Sequence, residues 1–81
     1  MKAAQIRMAR AALGWGVREL AEAAGVTANT ITRIENGSDA KQSTMDAIEA
    51  ALTRVGVEFL GDDGVRYRGG LKPDAAPDVW A

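Results

Sequence analysis

The stretch Val17-Arg18-Glu19-Leu20-Ala21-Glu22-Ala23-Ala24-Gly25-Val26-Thr27-Ala28-Asn29-Thr30-Ile31-Thr32-Arg33-Ile34-Glu35-Asn36-Gly37 decides how this chain folds. Val17, Leu20, Ala21 and Ala24 recur at helical spacing and give a short segment one apolar face. Gly25 follows, where a helix end favours a residue that turns left-handed without a Cβ penalty. Thr27 then offers a hydroxyl as the N-cap of a second segment. Within it Ile31 and Ile34 face inward, and Asn36-Gly37 stops it. Ala21 is small where the second helix must cross close above the first.

Working outward, Ile6, Ala9 and Leu13 mark an earlier helix that Gly14 and Gly16 end. A fourth is predicted to open at Ser43-Thr44-Met45-Asp46, a capping box with Asp in place of Glu. Met45, Ile48, Leu52 and Val55 continue it as one stripe until Gly56. The period then changes to alternation: Val57 and Phe59, then Val65 and Tyr67, flank Gly61-Asp62-Asp63-Gly64, a hairpin signal. A four-residue loop would pair Phe59 with Arg66 and mix the faces. A three-residue loop, Asp62-Asp63-Gly64 with Gly64 left-handed, pairs Phe59 with Tyr67 and Glu58 with Arg68, and is preferred. The expected architecture is mostly α: a four-helix domain over residues 1–56, a hairpin over 57–69 and a flexible tail over 70–81. Trp80 is the one tail residue suited to docking.

Composition narrows the function. The 81 residues are 47% hydrophobic and 26% charged, as in an ordinary globular domain. With no cysteine and no histidine, disulfides, thiolate metal sites and a histidine general base are excluded. No nucleophile–base pair, metal cluster or phosphate loop can be assembled, so no enzyme, metal or cofactor is expected. Asp62 and Asp63 read as turn formers rather than a cation site. No membrane span or signal peptide is legible, and a cytoplasmic, nucleoid-associated protein is expected. Net charge is −1, but residues 1–41 carry six basic against four acidic side chains and residues 42–81 four against seven. The positive end is the one suited to a phosphate backbone.

Two short helices meeting at one glycine make a helix-turn-helix pattern. The chain resembles the phage-repressor/Cro-like (XRE) family of DNA-binding regulators from about residue 6 to residue 55. The run from Val26 through Ile34-Glu35-Asn36-Gly37 matches that family's recognition helix most closely. The resemblance implies that residues 27–36, about 15 Å of helix, lie in the major groove of double-stranded DNA. The outward residues suit base edges: Asn29 for adenine, Arg33 for guanine, and the methyls of Ala28 and Thr32 for thymine. Arg18, Thr27, Thr30, Asn36 and Lys41 are candidate phosphate contacts. Family members place Ser-Gln where this chain has Gly16-Val17, and basic residues where it has Ser38-Asp39-Ala40-Lys41. Both departures weaken the expected phosphate grip. The resemblance also sets Arg10 against Glu35 as an ion pair orienting the recognition helix.

A lone hairpin is marginal in water, so Val57 and Phe59 are expected to face helical apolar surface while the edge strand pairs with that of a second copy. Val57, Phe59, Val65 and Tyr67 are the expected dimer-interface residues. The function expected is a dimeric repressor on a palindromic operator. The alternative is an antitoxin-like interaction module whose tail, residues 71–81, folds on a partner protein.

Overall fold

The computed structural model describes residues 1–68; the expected tail, with Trp80, lies outside the described residues. Four helices, α1 (Ala3–Leu13), α2 (Val17–Ala24), α3 (Ala28–Glu35) and α4 (Gln42–Arg54), precede two strands, β1 (Val57–Leu60) and β2 (Gly64–Tyr67). The strands form a two-stranded antiparallel sheet. None of these helices is long and apolar enough to cross a membrane.

One core joins helices and hairpin. Ile6 and Ala9 of α1 meet Leu20 and Ala21 of α2, Ile31 and Ile34 of α3, Ile48 and Leu52 of α4, and Val57 of β1. The turn between α2 and α3 follows the sequence closely. Gly25 has φ 74 and ends α2 with the Val26 N–H bonded to the Ala21 carbonyl at 3.0 Å. The Thr27 hydroxyl accepts from the Thr30 N–H at 3.2 Å, capping α3. Ala21 is 4% exposed beneath the crossing helix, where a larger side chain would push the two apart.

Two expectations are corrected. The fourth helix starts at Gln42 rather than in a capping box at Ser43 to Asp46. Lys41 is its N-cap, with extended φ −62 and ψ 148 and no side-chain cap bond. The Asp46 carboxylate instead accepts from Gln42 Nε2 at 2.8 Å, one turn back along the helix. Along the stripe, Ile48, Ala51 and Leu52 are buried, while Met45 and Val55 are half-buried.

The hairpin has a three-residue turn, but it is Gly61-Asp62-Asp63, and the left-handed residue is Gly61 (φ 58), not Gly64. Val57 pairs with Tyr67, Glu58 with Arg66, and Phe59 with Val65, two residues away from the expected register. A shift of two keeps every side chain on its face, so alternation alone does not select between the registers. Gln5 supplies the choice. Its side chain is fully buried, and Nε2 donates to the carbonyls of Gly61 at 2.9 Å and Gly64 at 3.0 Å. Its Oε1 accepts from the Lys2 N–H at 2.8 Å, so the amide has partners at both ends.

The hairpin rests on the helices, as expected for Val57 and Phe59. Val57 is 2% exposed in the core, and Phe59, Val65 and Tyr67 pack against it. A marginal hairpin gains its stability from that helical surface. The opposite face presents Glu58, Leu60, Arg66 and Arg68.

The turn predicts a clean conformational penalty. A Cβ at Gly25 would meet nothing within 4 Å, so Gly25→Ala adds no clash. The cost is left-handed backbone strain, about 1–2 kcal/mol. Denaturant unfolding should show that loss with an unchanged slope, and Gly25→Asn should lose less. Equal stability of wild type and Gly25→Ala would contradict it.

Candidate nucleic-acid interface

The groove-facing candidates project from α3. Asn29, Thr32 and Arg33 are exposed and Ala28 is half-buried, while Ile31, Ile34 and Glu35 of the same helix are buried. The helix thus divides into an anchored side and a solvent side bearing one amide, one hydroxyl and one guanidinium. Thr30 is half-buried. Its hydroxyl lies 2.9 Å from that of Thr27, so the two threonines bond to each other as well as capping the helix.

Beside α3, a surface hollow of about 250 Å³ is lined by Thr30, Arg33, Asp39, Lys41 and Thr44. It brings two cations, one carboxylate and two hydroxyls together at the junction of α3 and α4. Lys41, Asn36 and Arg18 are all exposed; Lys41 borders this hollow, whereas Arg18 stands on the first turn of α2. The start of α2 holds an anion of its own. Glu19 Oε1 accepts from the Gly16 N–H at 3.0 Å, so a carboxylate occupies part of the positive end where a phosphate would sit. The signal was an acid three residues after the N-cap position.

The end of α3 is held by α1. Arg10 Nε donates to Glu35 Oε2 at 2.7 Å and Nη2 to Oε1 at 2.9 Å, a two-point clamp on the carboxylate. Nη1 of the same group donates to the Trp15 carbonyl at 3.2 Å, so the α1–α2 turn fixes the guanidinium. Glu35 keeps only 8% of its side-chain exposure and Arg10 21%. The hydrogen-bonded carboxylate raises the Arg10 pKa above its usual value, against the opposing effect of burial. Arg7 adds a second cation: its Nη2 donates to the Glu35 carbonyl oxygen. Sequence reasoning overlooked Arg7, although its spacing of three from Arg10 on one helix was the available signal.

The clamp makes a thermodynamic prediction. Arg10→Ala and Glu35→Ala each strand a partner in a shielded site, so their losses should not add. Unfolding of both single mutants and the double mutant should give a coupling of about 1–3 kcal/mol. Additive losses would show that the two charges act independently.

Comparison with curated proteins and with solved structures gave no match. A family profile described as a helix-turn-helix domain matches residues 3–60, which spans all four helices and β1. The matched span contains the α2–turn–α3 unit, the core beneath it and the Arg10–Glu35 clamp, the parts that present one helix outward on a fixed base. The chain belongs to the helix-turn-helix domain family, whose architecture is that of a DNA-binding module.

Proposed function

We propose that the protein is a sequence-specific, double-stranded-DNA-binding transcriptional regulator of the cytoplasm and nucleoid. It represses by occupying an operator. The observation that supports this reading most is the presentation of α3, anchored by Ile31, Ile34 and Glu35 and exposing Asn29, Thr32 and Arg33. Asn29 bonds adenine through its amide, Arg33 bonds guanine through its fork, and the methyls of Ala28 and Thr32 lie against thymine. Arg18, Thr27, Thr30, Asn36 and Lys41 contact phosphates. Glu19 and Asp39 oppose that grip, so sequence-independent affinity is low and discrimination rests on the groove face.

Two copies occupy a palindrome. Among the described residues the hairpin is a two-stranded sheet with an unpaired edge on each strand, and its outward face carries Glu58 and Leu60 on β1. Edge pairing between two copies would set the recognition helices about one DNA turn apart, roughly 34–36 Å.

Selection of bound fragments from genomic DNA, followed by footprinting, tests both statements. Two protected half-sites one turn apart are expected; a single protected segment would contradict the two-copy arrangement. On the selected site, Arg33→Ala should cost about 1–3 kcal/mol and relax preference at one base pair. Lys41→Ala should weaken every sequence alike and lower the salt slope by about 1. Equal losses on selected and random DNA for Arg33→Ala would move that side chain from base to backbone.

A further inference from the structure

Arg7 touches the same residue as Arg10 but a different part of it. Arg10 takes the Glu35 carboxylate, while Arg7 Nη2 donates to the Glu35 backbone carbonyl and Arg7 Nε stands 3.9 Å from Oε1.

The way α3 ends explains why that carbonyl needs a donor. The Ser38 N–H bonds the Arg33 carbonyl at 2.9 Å and the Gly37 N–H bonds the Ile34 carbonyl at 3.0 Å. With Gly37 at φ 98, this is the paired closure that ends a helix on a left-handed glycine. It satisfies Arg33 and Ile34 and passes over Glu35, whose carbonyl receives no backbone N–H among the described residues. Arg7 supplies the missing donor, and it brings positive charge to the negative end of the helix dipole.

We infer that Arg7 is a positioning residue for DNA recognition, acting by capping the Glu35 carbonyl and so fixing the angle at which α3 is presented. The inference rests on the DNA-binding reading above. Held by its side chain alone, Glu35 would keep the torsional freedom of the bonds between its clamped carboxylate and the α3 backbone, beyond the seating that Ile31 and Ile34 give. A second contact, to the backbone of the same residue, removes that freedom. The helix is eight residues long, little more than two turns, so a pivot at its end moves Asn29, Thr32 and Arg33 together. The Arg7 side chain is 53% exposed and contributes nothing to the buried core, so its removal leaves the fold and the Arg10 clamp in place.

The test compares Arg7→Ala and Arg7→Lys with wild type on the selected operator and on a random duplex, across a salt series. Amide hydrogen exchange in α3 is followed in the free protein. Arg7→Ala should lose about three- to tenfold on the operator. It should lose nothing on random DNA and keep the wild-type salt slope, while the last-turn amides of α3 exchange faster. Arg7→Lys, which retains charge and donor, should recover most of the operator affinity. Equal losses on both duplexes with the slope lowered by about 1 would make Arg7 a phosphate contact and overturn the proposal. Unchanged exchange with unchanged affinity would overturn it as well. If the wild type binds neither duplex, the DNA-binding reading fails, and the exchange comparison still decides whether Arg7 caps α3.

Discussion

Glu35 is where the stability of the domain and its presentation of α3 meet. Its carboxylate is nearly fully buried at the end of a helix whose outer face is open to solvent, and two arginines from α1 hold the residue. A carboxylate in that position costs several kcal/mol of desolvation unless it is paired and hydrogen-bonded. The two-point contact with Arg10 offsets that cost and adds direction, because a fork on a carboxylate fixes an orientation as well as a distance. The Trp15 carbonyl then immobilises the fork itself, tying the α1–α2 turn into the same network. Ile31 and Ile34 set how deeply α3 seats, and the Glu35 contacts set how it is turned.

The same helix, α1, reaches the other end of the molecule. Gln5 lies one turn and a half before Arg10 and binds the hairpin turn through Gly61 and Gly64. Val57 enters the common core alongside Ile6 and Ala9. The hairpin is therefore continuous with the helical domain rather than appended to it. α1 thus carries polar contacts both to the end of α3 and to the hairpin turn.

Much of this was legible in the residues, and the limits have physical causes. The bounds of α2 and α3 followed from apolar spacing, Gly25 and the Thr27 cap, all of them local signals. The start of α4 was misplaced because Ser43, Thr44 and Asp46 carry capping chemistry, while Lys41 takes the cap position by backbone geometry alone. The hairpin register escaped because alternation is blind to a shift of two, and the deciding contact comes from Gln5, 56 to 59 residues away. At the site, the outward chemistry of α3 was readable. The Glu19 carboxylate at the α2 end and Arg7 on the Glu35 carbonyl carried only generic spacing signals, and three-dimensional placement identified what each contacts.

The central claim is that α3, turned outward on the Glu35 anchor, is the surface that meets duplex DNA. The most direct measurement is a titration of isotope-labelled protein with a short duplex at low ionic strength, read as amide shift changes along the chain. The account predicts changes concentrated at residues 27–36 and around residue 41, with the outer hairpin residues Glu58, Leu60 and Arg66 left unmoved in a single bound copy. Shifts centred on the hairpin, or none anywhere, would contradict it.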